Sequence, residues 1–124
     1  MSLSISAIRT IVEYYPMMRR EPRYQHALRE DFVATSMDDL NAKMSRYRNR
    51  VLYVTLHGGG VGKMENNGDV DVFLTIVGVK RTIRSYEFSN ILILRGLDLS
   101  NTRVSTIESD AFVGCRNLKT VILS

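Results

Sequence analysis

The feature that most constrains the fold of this chain is an internal repeat in its carboxyl-terminal half. When the chain is aligned with itself at an offset of 24, Leu94-x-x-Leu97-x-Leu99-Ser100 falls on Leu118-x-x-Val121-x-Leu123-Ser124. The same offset places Ile83, Ser85, Phe88 and Ile91 on Ile107, Ser109, Phe112 and Cys115. Self-similarity at a fixed period of this length is typical of proteins whose repeats stack on one another.

Within a repeat, the apolar pattern predicts a strand followed by a returning segment. Leu97 and Leu99 alternate with polar or small residues, so one face of the strand is apolar. A single strand cannot bury that face alone, and a neighbouring repeat has to cover it. The predicted strands are Val51–Leu56, Val70–Val77, Ile91–Leu99 and Thr120–Leu123. Apolar spacing predicts a short helix in the return, with Ile107, Ala111, Phe112 and Cys115 on its inner face.

The last repeat also matches a known repeat signature. The matching residues are Val104, Ile107, Ala111-Phe112, Gly114-Cys115, Leu118, Val121 and Leu123. On these residues the chain resembles the BspA-like (Treponema pallidum-type) leucine-rich repeat proteins over 91–124, and with fewer matches over 70–90. The segment 94–104 is similar to the general leucine-rich core, although Thr102 stands where that core has Asn or Cys. The resemblance implies an α/β leucine-rich repeat solenoid, built of short parallel strands with helical or turn returns.

The sequence leaves two interpretations of residues 50–76. In the first, the alternating run from Val70 to Val77 is a strand of a further repeat, and a strand containing Val54 and Leu56 precedes it. In the second, Asn67-Gly68 is the turn of a hairpin between Val61–Met64 and Val70–Leu74. The first interpretation assigns the repeats to residues 49–124.

Residues 1–48 are predicted to be a helical or irregular segment and a candidate cap. Apolar residues at helical spacing predict an amphipathic helix that ends at Pro16, and these residues are Ile5, Ile8, Ile11 and Val12. A second helix is predicted over Met37–Tyr47, with Ser36 as its N-cap and Asp38 and Asp39 in its first turn.

The other end of the repeats is expected to be incomplete. A solenoid needs a polar cap over its last strand, and nothing after Leu123 is expected to provide one. We therefore expect this edge to permit self-association.

We expect the strand residues that point away from the core to bind another protein, because solenoids bind partners through such extended faces. The predicted contact residues are Asp71, Phe73, Thr75, Asp98, Ser100, Thr120 and Ile122. The family resemblance implies interaction or adhesion roles, often at cell surfaces. No secretory signal and no apolar run of about 18 residues occurs, so a cytoplasmic location without membrane contact is expected.

An alternative function follows from the charge distribution. The net charge of +4 arises in residues 1–63, which hold ten Lys and Arg against six Asp and Glu. Tyr24 and Tyr47 lie among the arginines of the basic segment 19–50, and arginines beside aromatic rings are typical of nucleic-acid grooves. The candidate nucleic-acid contacts are Arg19, Arg20, Arg23, Arg46, Arg48 and Arg50.

Catalytic and metal-binding patterns are incomplete. The segment 57–63 approaches a phosphate-binding loop, but His57 stands where the first Gly belongs and Met64 where Ser or Thr belongs. Asp69 and Asp71 share a predicted strand face without the further ligands of a calcium loop. Cys115 has no neighbouring His and occupies an inward repeat position. The sequence therefore predicts a protein that is not an enzyme and has no cofactor or bound metal.

Overall fold

The computed structural model describes residues 2–3, 28–58 and 62–123. The elements in chain order are β1 (Ser2–Leu3), β2 (Leu28–Ala34), α1 (Met37–Met44), β3 (Arg50–His57), β4 (Val70–Val77), β5 (Thr82–Ile83), β6 (Leu94–Asn101), β7 (Thr106–Glu108) and β8 (Thr120–Ile122). The main sheet has five parallel strands in the order β2-β3-β4-β6-β8, and it is the framework of the described fold.

The five strands follow one another in space as they do in sequence. Leu28 pairs with Arg50, and Arg50 pairs in turn with Val70 on its other side. Gly96 pairs with Thr120, at the same offset as the sequence repeat. Each unit thus adds one strand beside the last, which confirms the predicted solenoid-like architecture of short parallel strands.

The parallel pairing rules out the hairpin interpretation of residues 50–76. β3 and β4 pair from Arg50 opposite Val70 to His57 opposite Val77 without interruption. A hairpin through Asn67-Gly68 would require antiparallel strands on either side of that turn. The turn instead leads into β4, since the Val70 N–H donates to the Asn67 carbonyl at 3.3 Å.

The returns contain turns and short strands instead of the predicted helix. β5 and β7 pair in parallel at the offset of the sequence repeat, and turns follow over residues 85–90 and 109–114. Positive φ angles recur at equivalent positions: Tyr86 (61°) and Asp110 (63°), then Asn90 (60°) and Gly114 (77°). A right-handed helix requires negative φ throughout, so the backbone at these positions is not helical despite the helical spacing of the apolar side chains.

The amino-terminal prediction is partly wrong. Residues 28–34, expected to be helical or irregular, form β2 at the edge of the main sheet. Ser2–Leu3 form β1, which pairs antiparallel with β7 on the side opposite β5. The remaining residues of the first predicted helix lie outside the described part of the chain.

The second predicted helix is present as α1. The hydroxyl of its N-cap, Ser36, accepts the Asp39 N–H at 3.0 Å. The helix ends at Met44, short of the predicted end at Tyr47, and Tyr47 stacks on Phe32 of β2 with ring centroids 5.8 Å apart. Within residues 28–58 and 62–123, no helix is long and apolar enough to cross a membrane.

One apolar core lies between the main sheet, α1 and the returns. The inward residues of β4 are all buried, and Leu40 and Met44 of α1 join the same cluster. Phe88, from the turn at 85–90, is 1% exposed and stacks on the partly buried Phe112 with ring centroids 5.7 Å apart. The core therefore spans several repeats, as expected when no repeat can bury its apolar face alone.

Asparagine side chains join consecutive repeats at the connections. The Asn41 amide donates to the Lys63 carbonyl at 3.0 Å and accepts the Glu65 N–H at 2.9 Å. Asn66 makes the corresponding pair of bonds one repeat later, to the Asn90 carbonyl at 2.7 Å and the Leu92 N–H at 2.8 Å. Each amide satisfies both a donor and an acceptor of the next connection, which fixes the spacing of the repeats.

We expect Phe88→Ala to lower the free energy of unfolding by about 3–5 kcal/mol, because it removes a fully buried aromatic side chain. Phe112→Ala should cost less, since Phe112 is only partly buried. Urea unfolding followed by circular dichroism measures both values. Equal stability of Phe88→Ala and the unmodified chain would contradict the assigned core.

Asn66→Ala should lower the free energy of unfolding by about 1–2 kcal/mol, because two inter-repeat hydrogen bonds to backbone groups are lost. Asn101→Ala is the control, since Asn101 is an exposed residue at the end of β6. The control should change stability by less than about 0.5 kcal/mol. A similar effect of the two substitutions in the same urea titration would show that the Asn66 bridge does not stabilise the fold.

Candidate functional site

The strongest candidate site is the outward side of the main sheet, which we call the strand face. Because the strands are in register, outward side chains form rows that cross the sheet. One row consists of Asp31, Tyr53, Phe73, Gly96 and Thr120. The next consists of Val33, Thr55, Thr75, Asp98 and Ile122. The structure thus brings the predicted contact residues of β4, β6 and β8 to one surface.

Arg29 of β2, Tyr53 of β3 and Phe73 of β4 stack on one another across this face, and we call these three side chains the column. The Arg29 guanidinium carbon lies 3.8 Å from the Tyr53 ring centroid, and the Tyr53 and Phe73 rings stack at 4.9 Å with 11° between their planes. Arg29 also donates two hydrogen bonds to Asp31, at 2.8 and 3.1 Å. These bonds lower the pKa of the Asp31 carboxyl and raise the pKa of Arg29. Stacking and cation–π attraction thus connect the three side chains across neighbouring strands.

Arg29, Asp31 and Tyr53 are not among the site residues that the sequence predicts. Arg29 and Asp31 belong to β2, which was not predicted to be a strand. A signal for Tyr53 was present, because it stands between Leu52 and Val54 in an alternating strand. The register between β3 and β4 places Tyr53 directly beside Phe73 in the same row. Alignment of the two predicted strands on their apolar residues would therefore have found it.

Asp71 contributes to the strand face through an ion pair. The Arg95 Nε lies 2.8 Å from the Asp71 Oδ1, and the two side chains are only 6% and 13% exposed. Arg95 is the extra residue at a bulge, since Val72 pairs with Leu94 and Phe73 with Gly96. An ion pair with so little exposure requires both charges, because either one left alone would be costly to keep from water. Asp71 therefore lies on the predicted surface and is also held in the fold by its ion pair with Arg95.

The second row combines aliphatic ends with a polar centre. Val33 is 51% exposed at one edge of the sheet and Ile122 is 41% exposed at the other. Between them, Asp98 accepts hydrogen bonds from the Ser100 N–H at 2.9 Å and the Ser100 hydroxyl at 2.6 Å. Thr75 lies between Thr55 and Asp98 in the register. This row offers apolar contact at its ends and hydroxyl and carboxylate groups in its middle.

The arginines of the nucleic-acid alternative are dispersed or engaged where they are described. Arg19, Arg20 and Arg23 lie outside the described residues. Arg46 is exposed after α1, whereas Arg48 lies 3.4 Å from an Asp69 carboxylate oxygen. Arg50 donates to the carbonyls of Arg48 and Asn49 at 3.0 and 3.1 Å. Tyr47 uses one ring face to stack on Phe32, which leaves its other face for any further contact.

The geometry around the glycine-rich segment differs from a phosphate-binding loop. Such a loop leads into the amino terminus of a helix, whose N–H groups receive the phosphate. Residues 62–69 form no helix and lead into β4. The Lys63 amine donates to the buried Ser89 hydroxyl at 2.7 Å. Lys63 therefore links two repeats through this bond.

An open groove of about 340 Å³ lies near the end of α1. Its lining includes Asn41, Asn66 and Asn67, whose side-chain amides all bond to backbone groups of the fold. Arg48 and Asp69, which also line the groove, form an ion pair with each other. In the part of the chain that the structure describes, no three His, Cys, Asp or Glu side chains are arranged to share a metal ion. The groove thus consists mainly of groups that already hold the connections together.

The described fold defines a solenoid-like repeat protein with a parallel-stranded face. No protein-family model, curated protein or solved structure matches the chain.

Cys115 is expected to react slowly with iodoacetamide. Its Sγ contacts the Phe88 carbonyl at 2.6 Å, and burial is the main cause that raises the pKa of the thiol. A raised pKa leaves less thiolate at any given pH, so alkylation near pH 8 should be several-fold slower than for an exposed cysteine. The rate is measured by mass spectrometry, and urea unfolding should restore it.

The same pKa shift links Cys115 to stability. The folded state holds the thiol proton more tightly than the unfolded state, so the associated stability is present below the ordinary thiol pKa. It is lost as pH rises through the higher folded-state pKa. Equal alkylation rates in the folded and urea-unfolded chain would contradict the inward placement of Cys115.

Proposed function

We propose that this chain is a non-catalytic interaction module of leucine-rich repeat type that binds a partner protein through its strand face. The observation that carries the proposal is the alignment of outward side chains in rows across five parallel strands. A partner would meet a surface about 19 Å wide, which is four inter-strand spacings. That width suits a protein surface or an extended segment better than a small molecule.

The composition of the stacked column of Arg29, Tyr53 and Phe73 supports protein recognition. Arginine and tyrosine are enriched among the residues that contribute most to protein–protein binding energy. Arg29, Tyr53 and Phe73 are held in one column by their mutual contacts. Their side chains therefore lose less conformational freedom on binding than isolated surface side chains would.

The assignment to the leucine-rich type rests on repeat length and on the inward residues. Leucine-rich repeats have a period of about 20–29 residues. The spacing between paired positions lies in that range, both from Arg50 to Val70 and from Gly96 to Thr120. Leu94, Leu97 and Leu99 of β6 are all buried. The BspA-like subtype is proposed on the signature residues of 104–124, and protein binding is the part of that family's role proposed for this chain.

The strand face can be tested with a photo-crosslinking amino acid at Thr75, which is outward and central in its row. A crosslinked protein is identified by mass spectrometry and purified, and its affinity for the unmodified chain is measured by calorimetry. We expect the partner to be crosslinked from Thr75 and not from Leu92, which is 39% exposed and lies outside the strands.

Substitution should then separate the face from the rest of the surface. Ile122→Arg should weaken binding of the purified partner about tenfold or more, because it places a long charged side chain in the second row of the strand face. Leu92→Arg is the matched control, since Leu92 and Ile122 are 39% and 41% exposed. Equal affinities of the Ile122→Arg chain and the control would contradict binding through the strand face.

A further inference from the structure

Tyr86 lies in the turn at 85–90, outside the strand face, and both its exposure and its backbone conformation are unusual. This residue is 60% exposed, and its φ of 61° lies in the left-handed region that bulky side chains rarely occupy. Its backbone N–H donates to the Asp110 carbonyl at 3.0 Å, so the turn is tied to its neighbour in the next repeat. The phenol ring therefore projects from a constrained turn without being buried in the core.

The repeat itself shows that the fold does not require tyrosine at this position. The equivalent residues one repeat before and one repeat after Tyr86 are Gly62 and Asp110, and both also have positive φ, 106° and 63°. Glycine and aspartate tolerate this conformation better than an aromatic residue does. An exposed side chain in an unfavourable backbone conformation points to a role in contact with another molecule.

Exposed arginines surround the same returns. Arg81 and Arg84 flank β5, and Arg103 precedes β7. The backbones are adjacent, because the Arg103 N–H donates to the Lys80 carbonyl and the Ser105 N–H to the Arg81 carbonyl, both at 3.0 Å. All three arginines are exposed, and none forms an ion pair within the described residues.

Two nearby acidic side chains, those of Glu87 and Glu108, are already used inside the fold. The Glu87 carboxylate lies 2.6 Å from the Lys80 amine, and these side chains are only 13% and 12% exposed. Glu108 accepts the Ser85 N–H at 3.0 Å. At this surface the exposed positive charges of Arg81, Arg84 and Arg103 therefore outnumber the negative charge of the exposed Asp110.

We propose that Arg81, Arg84, Tyr86 and Arg103 form an arginine surface that binds an acidic segment of a partner protein. Arginine pairs with carboxylates through two parallel hydrogen bonds, and tyrosine adds apolar contact area with a polar end. Nucleic acid suits the surface less well. The surface has one aromatic ring instead of a series, and the exposed Asp110 adds a negative charge to the same pair of turns.

The test compares two fluorescein-labelled probes, a polyglutamate peptide and a single-stranded RNA of equal charge, by fluorescence anisotropy at low salt. The peptide should bind the unmodified chain, and Arg81→Glu should weaken its affinity about tenfold. Arg46→Glu is the matched control, because Arg46 is also exposed and has no ion pair within the described residues. The control should weaken peptide binding less than about twofold.

Tyr86→Asn distinguishes a contact role from a structural one. Asparagine tolerates positive φ, so the melting temperature should stay the same or rise while peptide affinity falls about threefold or more. A lower melting temperature would assign Tyr86 to the fold and contradict its proposed role. Equal effects of Arg81→Glu and Arg46→Glu, or binding of the RNA but not the peptide, would overturn the proposal. Ile122→Arg should leave peptide binding unchanged, which separates this surface from the strand face.

Discussion

Lateral pairing of successive strands is the interaction on which the rest of the structure depends. Each strand has one apolar face that is too narrow to be buried within its own repeat, so it is stable only beside the equivalent strand of the next. In register, Val54, Leu74, Leu97 and Val121 form one inward row. All four are at most 3% exposed. The connections between paired positions differ in length, yet the inward row is kept because the pairing fixes it.

The lateral pairing of the strands also determines the outward surface. Side chains alternate along a strand, so a register that aligns the inward residues also aligns the outward ones. A slip of one residue would exchange the two faces and bury Tyr53 and Phe73 among the apolar residues. The stacking of Tyr53 on Phe73 and of Arg29 on Tyr53 is thus a consequence of core packing. The core determines where the outward side chains lie, while their chemistry remains independent of it.

The interior of the solenoid could be predicted from the sequence more fully than its edges and turns. Alternation placed β4 correctly and the sequence repeat related β6 to β8, because both signals come from buried positions. β2 lacked this signal, since an edge strand is buried on fewer sides and Glu30, the register partner of the buried Leu52, interrupts the apolar pattern. The return was predicted to be helical from its apolar spacing. That spacing could not reveal the left-handed backbone at Asp110 and Gly114, which depends on the pairing of turns between repeats.

Repetition also separates residues that the fold requires from residues that it only tolerates. Gly114 leaves no room for a side chain, because a Cβ there would lie 2.0 Å from the Asn90 Oδ1. The equivalent position one repeat earlier is Asn90 itself, which adopts the same left-handed conformation where space permits. At the repeat position of Gly62, Tyr86 and Asp110, by contrast, three unlike residues adopt positive φ, so the fold does not require a particular residue there. Packing therefore explains the glycine at 114, whereas the tyrosine at 86 calls for an explanation outside the core.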